Sequence, residues 1–120
     1  MQVSTTLAGF FRNWFEFLKP FHHLTDRQMD VIAAITYLRY KLSKKISDEE
    51  LLDENVLSDA SKKKVREACK LKLAHFQVIM GELKKSGVIV NGRINPRYIP
   101  RVTDEKGFQL LLYFNINDKP

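Results

Sequence analysis

The sequence has little of several things, and each shortage excludes a class of protein. A single cysteine, Cys69, leaves no intrachain disulfide, so a small secreted scaffold stapled by disulfides is excluded. That cysteine usage fits a reducing compartment, and the expected location is cytoplasmic. No run approaches the roughly 20 apolar residues of a membrane span, so no membrane partner is expected. The N-terminus lacks a basic start followed by an apolar stretch, and a cleaved signal peptide is not expected. The five glycines are widely spaced, so no glycine-rich loop cradles a phosphate. Cys69 and His75 are not set at a zinc spacing, and His22-His23 lie far away in sequence. No metal, cofactor or small-molecule ligand is therefore expected, and no group of residues supports an enzyme.

What is present is charge, unevenly placed. Net charge is +6 and the pI is near 9.5. From Ile46 to Asp59 there are six acids (Asp48, Glu49, Glu50, Asp53, Glu54 and Asp59) and no base. From Ala60 to Arg101 eleven bases face two acids. A basic block of this kind is the electrostatic footprint of a phosphate-backbone binder. The plainer reading of the same block is a solvated surface.

The apolar pattern is helical for most of the chain. Leu7, Phe10, Phe11, Trp14 and Leu18 recur at helical spacing, Phe15 and Phe17 widen the stripe, and Pro20 is expected to end the helix. This aromatic helix either covers the core of its own domain or docks on another subunit through Phe10, Phe11, Trp14 and Phe15. Thr25-Asp26-Arg27-Gln28 reads as a capping box. It opens a helix expected from about Asp26 to Lys44, with Val31, Ile32, Ile35, Leu38 and Leu42 inward. Ser47 with Glu50 reads as a second box, opening a short, exposed acidic helix through about Glu54. Ser58 or Ser61 caps a further helix running to about Lys70. Leu73 to Ser86 is the last helix, with Phe76, Ile79, Met80 and Leu83 buried and Gly87 as its C-terminal cap.

After Gly87 the period changes. Val88-Ile89-Val90, Asn91-Gly92 and Arg93-Ile94 read as a hairpin, because Asn-Gly suits the two positive φ angles of a type I′ turn. The segment from Phe108 to Ile116 alternates as a strand. The expected class is mainly α with a small antiparallel β hairpin or sheet.

The stretch from about Val65 to Ile94 resembles the winged helix-turn-helix family, with the outline extending from Leu24. Met80-Gly81-Glu82-Leu83-Lys84-Lys85-Ser86-Gly87-Val88-Ile89 carries the likeness, as a leucine-rich helix end running through Gly into a strand. A fainter likeness is to small plasmid replication initiators and phage proteins with this domain. The resemblance implies a turn at Cys69-Lys70-Leu71-Lys72, a recognition helix from Leu73 to Ser86, and a wing from Val88 to Asn95. The late strand would pair with that wing. Two departures are visible: Lys70 stands where the family often has Gly, and Lys72 where it usually has a capping Ser, Thr or Asp. On this reading residues 1–23 are the aromatic helix and 24–120 the winged-helix domain.

The resemblance also implies a partner, double-stranded DNA. Lys62, Lys63, Lys64 and Arg66 would hold phosphates before the turn, with Lys70 in it. Lys72, His75, Gln77, Lys84 and Lys85 would face DNA from the recognition helix, and Arg93, Arg97 and Arg101 from the wing side. Gln77 suits an adenine edge and Lys72 a guanine edge. The expected role is a regulator, a replication factor, or the DNA-recognition part of a phage packaging apparatus. The alternative is a structural or adaptor subunit of a virion or other oligomeric assembly. In that case the acidic and basic segments of neighbouring copies would meet head to tail.

Overall fold

Helix α1 (Leu7–Phe17) packs along helix α3 (Asp26–Ser43), and the packing is aromatic. The computed structural model describes residues 7–100, and the strand expected at Phe108 to Ile116 lies outside them. Phe11 meets the edge of Phe10 at 5.2 Å and lies near the rings of Tyr37 and Tyr40 on α3. Phe10, Phe11 and Phe15 are buried in the chain's own core. Trp14 is half-buried, and its indole N–H donates to the Tyr98 carbonyl at 2.8 Å. Of the two readings of this helix, the burial supports core cover: Phe10, Phe11 and Phe15 fill the chain's own core and Trp14 packs at its edge. Each fully buried ring of this kind contributes on the order of 1.5–3 kcal/mol.

Pro20 does more than end a helix. Helix α1 stops at Phe17, and Pro20 sits in the first turn of the short helix α2 (Lys19–His22), where its missing N–H costs nothing. His22 locks this corner. Its Nδ1 accepts from the Leu24 N–H at 2.9 Å, which leaves Nε2 as the donor to the Phe15 carbonyl at 2.7 Å. Burial depresses its pKa below the ordinary 6.5, and the neighbouring His23 and Lys19 charges act in the same direction.

The Thr25 capping box forms in both directions, Thr25 taking the Gln28 N–H and Gln28 taking the Thr25 N–H. Helix α3 is the hub, and α1, α4 (Glu49–Val56), α5 (Asp59–Ala68) and α6 (Leu73–Lys85) all pack against it. Val31, Ile32 and Ile35 are buried, with Leu38 and Leu42 at the core's edge. Two local readings are corrected. Asp48, not Ser47, caps α4, because its carboxylate reaches the N–H groups of Glu50 and Leu51. Helix α5, capped by Ser58, ends at Ala68 rather than Lys70.

The ends of α5 and α6 are built alike. After α5 the Lys70 N–H donates to the Glu67 carbonyl and the Leu71 N–H to the Arg66 carbonyl. After α6 Gly87 donates to Lys84, and Val88 to Leu83. Both are Schellman closures, which need a left-handed residue just past the helix. Gly87 adopts it at φ 84° without cost, and Lys70 adopts it at φ 56° against the clash of its Cβ. Strands β1 (Ile89–Val90) and β2 (Arg93–Ile94) then pair antiparallel, Ile89 opposite Ile94. Asn91 and Gly92 between them both have positive φ, as the type I′ turn requires. A 3₁₀ turn, Pro96–Tyr98, follows. The described residues are thus mainly helical with one small hairpin.

Candidate nucleic-acid interface

Helices α5 and α6 diverge from the turn at Cys69–Lys72 and leave an open cleft of about 500 Å³ between them. The α5 wall carries Lys62, Lys63 and Arg66, and α6 adds Lys84 and Gln77. Four of the bases expected to face DNA therefore converge, with Asp59 as the acid at their edge. The reason is phase: Lys62, Lys63 and Arg66 fall within one turn of each other, opposite the buried pair Ser61 and Val65. The floor is apolar, with Phe76 and Met80 turned into the core. Arg66 also donates to the Leu71 carbonyl at 3.3 Å, so it braces the turn as well as lining the cleft.

The other expected residues divide. Lys64, Lys70, Lys72, His75 and Lys85 are exposed but lie outside the cleft wall. Lys72 is the N-cap of α6 and makes no side-chain capping bond, so the first N–H groups of α6 are uncapped by it. Arg97 is exposed and stacks over the Tyr98 ring at 5.6 Å. Arg101 lies outside the described residues.

Arg93 has a partner within the protein. Its Nε donates to Asp53 Oδ2 at 2.9 Å, while Arg39 Nε donates to Asp53 Oδ1 at 2.8 Å. The Asp53 side chain is 3% exposed and Arg39 12%. One buried carboxylate thus ties the hairpin to α3 and α4, with Arg93 half exposed at the outer end of the pair. The short acidic helix is expected to be exposed, yet Asp53 on it is buried, and Arg39 is a site residue that the sequence does not single out. The missed signal is local: Asp53 shares the side of α4 that buries Leu52 and Val56. A buried acid requires a cationic partner, and only the fold shows that Arg39 and Arg93 are the ones within reach.

Cys69 packs at the core's edge with its thiol toward the Asp30 carbonyl at 3.7 Å, and burial raises its pKa. Such a thiol is unreactive. No helix among the described residues is long and apolar enough to cross a membrane. No protein-family model, curated protein or solved structure matches the chain.

Proposed function

We propose that this chain is a non-enzymatic double-stranded DNA binder that uses α6 as a recognition helix, in a winged helix-turn-helix arrangement of α3, α5, α6 and the hairpin. One observation carries the reading: Lys62, Lys63, Arg66 and Lys84, from two helices, converge on one open cleft. Four cations around a concave surface suit a phosphate backbone, whose repeated charges each release counterions when contacted. The left-handed Lys70 in the turn supports the same arrangement, since it takes the conformation that glycine supplies in the family. The hairpin serves as a braced wing, with Arg97 rather than Arg93 available for phosphate.

The test is binding to random-sequence duplex DNA across a salt series, with mass in solution recorded alongside. Affinity should fall steeply with salt, and Lys62→Ala or Lys63→Ala should each flatten the slope by about 0.9. Absence of binding at low salt would overturn the reading.

A second reading, a structural or adaptor subunit of an oligomeric assembly, is favoured by a separate observation. Leu51 on acidic α4 is 56% exposed, beside the exposed Glu50 and Glu54. An apolar spot ringed by acids complements a basic cleft on another copy. Its mark is salt-sensitive self-association without DNA binding.

A further inference from the structure

The buried side of α6 is fixed by Phe76, Ile79, Met80 and Leu83. At 100° per residue the row directly opposite is Ala74, Val78, Gly81 and Lys85. All four are exposed, and Leu73 and Gln77 flank them. Val78 is 58% exposed and Leu73 55%. Single exposed apolar residues are ordinary. Val78 shares the outward strip with Ala74, one turn away, while Leu73 lies on the cleft side with Gln77, beside Lys62, Lys63 and Lys84, and Glu82 is the acid at the far edge. The occupant of such a face is a polyanion that also offers apolar groups at the edge being read. The DNA major groove does so wherever a thymine presents its C5 methyl.

The polar residues of α6 point the same way. Guanine is read chiefly by arginine or lysine, and the two lysines within α6, Lys84 and Lys85, stand in its last turn, away from the N-terminal part of a recognition helix that meets base edges. Lys72, at the N-cap, stands outside the outward row. Gln77, which is exposed on the cleft side, matches the adenine N6 and N7 edge. Gly81 adds an independent indication. A Cβ built there meets nothing within 4 Å among the described residues, so their packing does not require glycine. A residue that weakens its helix without an internal reason is explained by close approach from outside.

We propose that α6 selects A·T-rich duplex DNA, seating thymine methyls against Val78 and Ala74, with Gln77 on adenine and Gly81 admitting the groove edge. The inference rests on the DNA-binding reading and specifies its target.

The experiment compares the full chain, by fluorescence anisotropy at one salt concentration, on duplexes of equal length. They are an A·T duplex, the same duplex with deoxyuridine for thymidine, a G·C duplex, and the G·C duplex with 5-methylcytosine. The A·T duplex should bind about tenfold tighter than the G·C duplex. Loss of the thymine methyls should weaken binding several-fold, and 5-methylcytosine should recover part of the difference. Val78→Ser should abolish the thymidine–deoxyuridine difference. Gly81→Ala should raise the melting temperature yet weaken binding, a combination that unfolding cannot produce. Equal affinity for the thymidine and deoxyuridine duplexes, with salt-dependent binding intact, would overturn this inference and leave the DNA reading standing. No binding to any duplex, with or without self-association, would overturn both.

Discussion

Helices α1 and α6 carry similar apolar loads and place them differently. On α1 the large rings Phe10, Phe11 and Phe15 are buried against α3 and its neighbours, and Trp14 is fastened to Tyr98. On α6 one apolar row is buried and a second set, with Leu73 and Val78, faces solvent. The difference teaches that apolar content alone does not mark a binding face. The mark is what remains outside after the core is filled, and what charge surrounds it. On the cleft side of α6 the bases Lys62, Lys63, Arg66 and Lys84 gather, whereas Arg12 on α1 is tied to Asp30 at 2.7 Å and Glu16 at 3.0 Å.

The largest effect that would test this contrast is in α1. Phe15→Ala should cost about 3–5 kcal/mol, read as a lower urea midpoint, because a fully buried ring leaves a cavity. If α1 were a docking element instead, the loss would appear in assembly size and leave the midpoint unmoved. Next is Asp53→Ala, which strands the mostly buried Arg39 and should cost about 3 kcal/mol. Arg93→Ala should lower the urea midpoint far less than Asp53→Ala, since Arg93 is half exposed and its pair is screened. A larger change in DNA affinity than in stability for Arg93→Ala would show that it contacts phosphate after all.

Smaller effects sharpen the comparison at the helix ends. Lys70→Gly should stabilise the fold by about 1 kcal/mol in thermal melts by removing the left-handed Cβ clash. A destabilised variant would mean that Lys70 makes a contact worth more than that strain. Acid should also act on the α1 side. His22 has a depressed folded-state pKa, so the unfolded chain binds the proton more readily. Its contribution is complete above about pH 6.5 and is lost as pH falls below that value toward the folded pKa. Melts in that range should show a decline that His22→Gln reduces. An equal decline in the variant would assign the effect to other groups.

The sequence by itself determined the local elements, because their causes are local. The Thr25–Gln28 box, the Phe76–Leu83 stripe, the Gly87 cap and the Asn91-Gly92 turn depend on neighbours within one or two turns, and each stands where the residues place it. Ser47 as a cap did not hold, because Asp48 next to it reaches the same N–H groups. The clustering of Lys62, Lys63 and Arg66 was legible for the same reason, as one helix phase. Tertiary structure decided the matters that turn on distance through space. It paired Asp53 with Arg39 and with Arg93, 40 residues away, and so braced the hairpin against α3 and α4. It seated the α1 aromatics in their own core and brought Lys84 opposite the α5 bases. Composition and periodicity can say that a residue is apolar or charged and which side of its helix it occupies. They cannot say which other element comes to lie against that side, and burial, pairing and exposure follow from that contact.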